Sequence, residues 1–451
     1  MKKLFLISLI GLIGPISPIG PLTLSAQDKQ WTLRECYDYA ISHSITILKR
    51  ANTERQQDIQ LSTAMNSRLP NLTMSASETF SFGRAQTLDG TYSNRNTNNA
   101  SFSLGTSVPL FTGFNIPNQV KLNRLNLDAA VQDLEKARND IRMQVAKAYV
   151  QILYDMEMAD VAQRQIAIDS MQAYRLEALL KNGKASQAEL SQHLATLAKS
   201  RMTATQADNS CQLSILALTQ LLELPSPEGF SIVRPDLNSS LDTQHSALHF
   251  PSPEVIYMEA LAFKPEIQAE ELRLRGTDHS IKIAQSALYP TLNFNAGLQS
   301  NYYKTNGMTA DPFFTQIKNN FAQYLGVSLN YTLFNRLSTR NNIRKARIDR
   351  ENQLLTLDNT KKTLYKEIQQ AYYNAKAALA KQESSKAAAQ SSKDAFELMQ
   401  AKYENGKANI TEFDEAKNRY LNAESDYVQA RYEFLYQTAL LDFYRGKELE
   451  F

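Results

Sequence analysis

Glycine and proline are scarce in this chain of 451 residues: there are 15 and 14 of them, each about half the usual share or a little above it. So few turn formers point to long, uninterrupted helices. Cysteine is rarer still. Cys36 and Cys211 stand alone and far apart, which excludes a disulfide scaffold and leaves either a single bridge or two buried small residues. A dominant charge is missing too: Lys+Arg 49 against Asp+Glu 46 gives a net charge of +3, so there is no basic field to hold nucleic acid. The five histidines, His43, His193, His245, His249 and His279, show no metal-ligand spacing. A phosphate-binding glycine loop, a nucleophile elbow and a Cys-His arrangement are all lacking. The chain is therefore expected to have no catalytic residue, no metal and no cofactor.

Long apolar runs are lacking except at the start, "MKKLFLISLIGLIGPISPIGPLTLSAQ". Lys2 and Lys3, the run from Leu4 to Ile13 and the small pair Ser25-Ala26 make residues 1–26 a secretory signal peptide cut after Ala26. Pro15, Pro18 and Pro21 interrupt the run before it reaches the roughly 20 residues that span a bilayer. The first cysteine is Cys36, so no lipid attachment point follows the run. If the exported chain enters a membrane, it does so without transmembrane helices.

What is present is a repeat. "KNGKASQAEL" (Lys181 to Leu190) returns as "ENGKANITEF" (Glu404 to Phe413), "SRLPNL" (Ser67 to Leu72) as "SALYPTL" (Ser286 to Leu292), and "PLFTGFN" (Pro109 to Asn115) as "TLFNRLS" (Thr332 to Ser338). A shift of 223 residues sets Leu134 on Leu357, Ile141 on Leu364, Val145 on Ile368, Ala148-Tyr149 on Ala371-Tyr372 and Gly183 on Gly406. The chain is a tandem internal duplication. Its first repeat is 27–222 and its second 253–451, with the Pro- and Ser-rich linker 223–252 between them.

Each repeat has the same order of elements. An amphipathic helix comes first, Trp31 to about Arg68 with Thr32 as N-cap, and about Pro253 to Leu288; Pro70 and Pro290 end the two. The period then changes to two. Leu72, Met74, Ala76, Phe80 and Phe82 alternate with Ser and Thr, with Glu78 as the exception, and Phe102, Leu104, Val108 and Leu110 follow the same rule. In the second repeat the greasy set is Leu292, Phe294, Ala296 and Leu298, then Leu325, Val327, Leu329, Tyr331 and Leu333. These are strands with one greasy and one wet face, suited either to a membrane wall or to a soluble hairpin lying on the helices.

Two rods follow the strands. Asn118 to Lys181 and Leu337 to Asn405 contain neither Gly nor Pro, and some 65 residues at 1.5 Å each make roughly 100 Å. Leu357, Leu364, Ala371 and Ala378, with Ile368 and Ala375 between them, form a heptad seam matched by Leu134, Ile141 and Ala148. The turns Asn182-Gly183-Lys184 and Asn405-Gly406-Lys407 reverse the rods into return helices. Those helices carry Leu197, Ser200, Ala204, Ala207 and Cys211, and Ala416, Tyr420, Ala423, Tyr427, Ala430 and Phe434.

Four strands cannot close a membrane barrel, which needs at least eight. Two, three or four chains would pool eight, twelve or sixteen, because an open edge in lipid leaves backbone groups unpaired. The order strand, strand, long helix, glycine turn, return helix, written twice in an exported chain, resembles the TolC family of outer-membrane efflux channels. "YENGKANITEFDEAKNRYLNAESDYVQARYEFL" (Tyr403 to Leu435) and the junctions "RLPNL" and "YPTL" carry the likeness most specifically.

The resemblance implies a mainly α fold with a transmembrane β part. A homotrimer would form a barrel of four strands per chain in outer-membrane lipid, continuing into an α-helical coiled-coil tunnel across the periplasm. It implies a passive exit duct for efflux or type I secretion, fed by an inner-membrane pump through a periplasmic adaptor that docks on the two Asn-Gly-Lys turns. By the same resemblance Tyr403 and Glu189 close the entrance, and Glu412 and Glu415 are carboxylates facing the lumen. The family's second clasp residue, an Arg, is Ala408 here, with Lys184 and Lys407 as neighbouring cations. The competing reading is a periplasmic coiled-coil adaptor or scaffold, which predicts one hairpin, an anchor and a compact soluble β domain.

Overall fold

The structure is a computed structural model that describes residues 30–86, 89–235 and 250–449. The expected signal peptide, His245 and His249 lie outside the described residues.

The first repeat opens with β1 (Gln30–Trp31), α1 (Leu33–His43) and α2 (Ile45–Asn66). Thr32 caps α1 through a capping box with Glu35, as expected. The single helix expected over Trp31 to Arg68 is instead two. Ser44 leaves the helical region at ψ 123, and the side chain of Glu223 accepts a hydrogen bond from the backbone of Ile45. The strands come next: β2 (Asn71–Ser81), the short hairpin β3 (Arg84–Gln86) and β4 (Tyr92–Asn94), and β5 (Thr97–Thr112). The rod α3 (Asn115–Lys181) and the return helix α4 (Gln187–Leu221) complete the repeat.

The linker is not bare: β6 (Ser231–Ile232) pairs in parallel with β1, and the hydroxyl of Tyr149 donates to the Val233 carbonyl at 2.6 Å. The second repeat runs α5 (Pro253–Phe263), α6 (Pro265–Ser286), β7 (Thr291–Thr305), α7 (Phe313–Asn319), β8 (Ala322–Asn330), α8 (Ser338–Glu404) and α9 (Ile410–Tyr444). Its opening helix is broken too, at Lys264, because a residue before proline is pushed out of the helical region.

The rods are 67 residues each and the return helices 35 each, so the duplication holds to the residue in the helical part. Each rod is entered through two successive left-handed residues, Gly113-Phe114 and Arg336-Leu337. At Gly113 a side chain is impossible, because a Cβ would lie 2.4 Å from the Ser286 carbonyl oxygen. The heptad residues Leu357, Leu364, Ile368, Ala371, Ala375 and Ala378 are all buried, as are Leu134 and Ile141, while Ala148 is half-buried and its neighbour Val145 fully buried. In cross-section α3 packs on both α4 and α9, α9 packs on α8, and α6 lies between the two rods. Cys36 and Cys211 are buried and free, and desolvation pushes the Cys36 thiol up to about 12.

The four long strands form one antiparallel sheet in the order β2-β5-β7-β8. Because paired residues share a face, the register tests the alternation directly. Met74 pairs with Leu104 and Leu104 with Leu298; Val108 pairs with Phe294 and Phe294 with Val327; Leu292 pairs with Leu329. One face is therefore largely apolar across all four strands, with Thr106 opposite Leu72 and Gln323 opposite Leu298 as polar places in it, and much of it is exposed, Leu72, Met74, Leu325 and Leu329 included. Glu78, the exception, accepts a hydrogen bond from Asn98 at 3.1 Å.

Leu110 departs from the expected alternation. A bulge lies between Pro109 and Phe111, so that Phe111 takes the place opposite Leu292. Proline has no N–H for the ladder and is tolerated in an inner strand at such a bulge. Tyr331 and Leu333 fall beyond the end of β8. On the wet face Gly105, Gly297 and Tyr324 form one row, and a Cβ on Gly297 would stand 2.8 Å from the Tyr324 hydroxyl. The tyrosine ring covers the gap left by glycine. Among the described residues no helix is long and apolar enough to cross a membrane.

Candidate functional site at the hairpin tips

The two turns are built from the same parts. After α3, the Gly183 N–H bonds to the Leu180 carbonyl and the Lys184 N–H to the Leu179 carbonyl; after α8, Gly406 bonds to Tyr403 and Lys407 to Lys402. These are Schellman closures, which need a left-handed residue, and both glycines have φ +70. Nothing lies within 4 Å of a Cβ built on either glycine, so conformation alone demands it there. Asn182 and Asn405 donate their side-chain amides to the carbonyls of Ala178 and Ala401. Each return helix then begins with a capping box, Ser186 with Glu189 and Asn409 with Glu412. All six turn residues, Asn182, Gly183, Lys184, Asn405, Gly406 and Lys407, are exposed.

Glu189 and Glu412 therefore hold equivalent places. Each accepts a hydrogen bond from the backbone of its N-cap residue, at 2.8 Å and 3.0 Å, while remaining exposed. Glu415 lies one turn on and pairs with Arg419 at 3.1 Å, on an open surface. Tyr403 is half-buried. Its ring stacks on Phe413 with centroids 5.0 Å apart, and the Arg175 guanidinium lies 5.2 Å from its centre. Burial first, opposed by Arg175, pushes its hydroxyl above the ordinary tyrosine range. Among the described residues, Tyr403 and Glu189 share no hydrogen bond.

The seam between the two hairpins was not read from the sequence. Within the second hairpin, the tip contacts are apolar: Phe396, Phe413 and Ala416 pack with Met399, Ile410 and Tyr420, and Ile168 of α3 joins them from the first hairpin. Between the hairpins, where α3 meets α9 and the end of α8, a ladder of polar contacts runs beside the apolar ones. From the waist towards the tip come Glu157 with Arg431 at 3.0 Å, Arg164 with Glu424 at 2.8 Å and Asp169 with Lys417 at 2.6 Å; Arg175 then donates to the Glu404 carbonyl at 2.7 Å.

The Asp169–Lys417 rung is shut off from water, with both side chains at 0% exposure. Lys417 also reaches Asp414 at 3.0 Å, and Ser200 of α4 donates to Asp169. His193 of α4 stands beside this group at 1% exposure, and among the described residues neither ring nitrogen has a hydrogen-bond partner. Desolvation holds its imidazole below the ordinary histidine range, with Asp414 and Asp169 opposing and Lys417 assisting. Glu157 and Arg164 sit seven apart on one helix face, the one trace of the seam that spacing could have betrayed.

Residues 37–223 and 256–446 match the family model described as "Outer membrane efflux protein", which takes in both repeats and both tips. The chain belongs to the outer membrane efflux protein family. Members of that family are outer-membrane channel components of efflux systems, which work with adaptor and pump partners, and membership sets aside the periplasmic adaptor as a reading. A curated relative is the outer membrane efflux protein BepC of Brucella suis biovar 1 (strain 1330), 24% identical over 188 residues, or 42% of this chain. That match spans 39% of the relative's length.

Solved structures share the fold over far more of the chain. VceC of Vibrio cholerae aligns over 93% of this chain and 97% of its own with a TM-score of 0.74 at 18% identity. CmeC of Campylobacter jejuni aligns over 93% and 87% with 0.73 at 19%, and the open state of MtrE of Neisseria gonorrhoeae over 95% and 93% with 0.72 at 18%. At such identities the likeness speaks for the fold. In this outer membrane efflux protein the apolar sheet face is the surface suited to lipid, and the rods, roughly 100 Å long, reach far beyond one bilayer.

Proposed function

We propose that this outer membrane efflux protein is a passive exit duct. Three copies pool their sheets into a twelve-stranded barrel, and their rods into a tunnel whose tips receive an adaptor and, behind it, a pump. The observation that carries the proposal is the sheet itself. Its one largely apolar face is exposed, and its outer strands β2 and β8 each leave an edge unpaired within the chain. In lipid such edges must be paired, and pairing β8 of one copy with β2 of the next closes a ring.

The polar seam supports a further step at the tip. Ion pairs, with Ile168 of α3 as an apolar contact beside them, join the hairpins near the tip, so the second can swing away from the first chiefly by giving up charge pairs rather than by opening a large greasy core. A partner that binds the parted arrangement better than the closed one opens the entrance without any chemistry in this chain. Exposed Asn182, Gly183, Lys184, Asn405, Gly406 and Lys407 are the adaptor's contact points, and Glu412 and Glu415 form the carboxylate ring at the lumen.

Planar-bilayer recording of the purified protein tests this reading. Discrete conductance steps are expected, raised by Asp169→Asn or Lys417→Met, which loosen the seam. A bilayer left electrically silent by the native protein and by both variants would contradict the duct.

A further inference from the structure

The strands of the wall differ in height on the side away from the rods. The outermost pair between β7 and β8 is Gln299 with Ala322, whereas β7 continues to Thr305. Helix α7 takes the place the strand leaves vacant. The Tyr303 N–H donates to the Gln316 side chain at 2.9 Å, Gln316 donates back to the Tyr303 carbonyl at 3.1 Å, and Asn320 donates to the Asn301 carbonyl at 2.7 Å. These bonds satisfy a strand edge with a helix.

The register says on which side of the wall α7 lies. Phe102 pairs with Ser300 and Ala100 with Tyr302, on the same face as Leu104 and Leu298. The ring of Phe313 meets Phe102 edge-on at 6.1 Å and Tyr302 at 5.3 Å, and Ser300 donates to the Ile317 carbonyl at 2.7 Å. So α7 lies against the apolar face. Beside Phe313, Phe314 projects with 83% of its surface exposed, and Lys318 is exposed in the last turn.

We infer that α7 is an interfacial anchor. Phe313 and Phe314 enter the boundary between acyl chains and headgroups at the outer rim of the wall, and Lys318 lies at headgroup level. The inference rests on the reading that the apolar face meets lipid, and the contacts with Phe102 and Tyr302 make α7 continuous with that face. Aromatic rings at this depth match the girdles that flank barrel walls. A lysine one turn on keeps its ammonium among the headgroups while its stem stays with the rings. The rings thus fix the height of the wall in the membrane.

The chain has a single tryptophan, Trp31, which lies beside Tyr149 midway along the rod α3 and away from the sheet, so a second one is read without ambiguity. The full chain carrying Phe314→Trp is reconstituted into phosphatidylcholine vesicles, with or without bromine high on the acyl chains. A second protein carries Leu325→Trp, at the middle of β8 on the apolar face.

Brominated lipid is expected to lower the emission added by F314W at least about twofold, with little effect from aqueous acrylamide. The native protein, with Trp31 alone, should not respond. Quenching of F314W by acrylamide but not by brominated lipid would overturn the inference in favour of water. Insensitivity to both would overturn it in favour of protein cover, such as a second copy. If L325W responds to brominated lipid and F314W does not, α7 alone falls; if neither responds, the lipid-facing reading of the whole sheet falls with it.

Discussion

Lys417 and Asp169 lie 2.6 Å apart, on helices from different repeats, with no part of either side chain open to solvent. Removing one partner strands a buried charge, at a cost of about 3–5 kcal/mol. Lys417→Met alone and Asp169→Asn alone are therefore expected to loosen the tip, whereas K417M with Asp169→Leu should recover much of the loss. Hydrogen exchange of the backbone amides in α9 and the lower part of α3 reads the difference. A double variant as loose as the worse single would contradict the pairing.

The two turn glycines give a second expectation. Gly183→Ala and Gly406→Ala force an L side chain into the left-handed region, at a cost of about 1–2 kcal/mol each. Asparagine, which tolerates that region, should cost less. Because nothing crowds either site, the ranking Gly, then Asn, then Ala should hold in thermal unfolding of both variants; equal behaviour of Asn and Ala would point to an unrecognised contact.

Glu412→Gln with Glu415→Gln should weaken cation preference in reconstituted channels, because a carboxylate ring draws cations and impedes anions. Glutamine still serves at the third position of a capping box, so a change in selectivity will not be the by-product of a frayed α9. Unchanged reversal potentials in a salt gradient would remove both residues from the lumen.

His193 predicts a dependence on pH. Burial lowers its folded-state pKa below the ordinary value of 6.5, so the folded tip binds fewer protons than the unfolded one. The imbalance is absent above about 6.5, and stability falls as pH drops below it, until the folded histidine also protonates. The groups facing it are Asp169 on α3 and Asp414 and Lys417 on α9. His193→Leu should flatten this part of the acid loss. Thermal unfolding of both proteins between neutral and mildly acidic pH decides; parallel curves would assign the loss to carboxylates instead.

Where packing is periodic, the fold was legible before any coordinates. Leu357, Leu364 and Ala371 mark the seam of α8 because burial recurs every seventh residue, and Met74 and Leu104 together mark the dry face, opposite Thr73 and Gly105 on the wet one, because strands alternate. Single-residue events broke those patterns. Ser44 ends a helix whose apolar rhythm runs on, and the bulge at Pro109 moves Phe111 into the place foreseen for its neighbour. The turns at Gly183 and Gly406 declared themselves through residue type, whereas the boxes that Glu189 and Glu412 form with Ser186 and Asn409 emerged only in the structure, although their three-residue spacing is a local signal. The polar seam was not legible, because Asp169 and Lys417 are 248 residues apart in the chain and no local pattern links them.

The central claim is that several copies pool their strands into one wall. Its most direct test is the mass, by light scattering with detergent subtracted, of the complex extracted from outer membranes. A mass near three processed chains is predicted; a single chain, stable in detergent with β2 and β8 unpaired, would contradict the account.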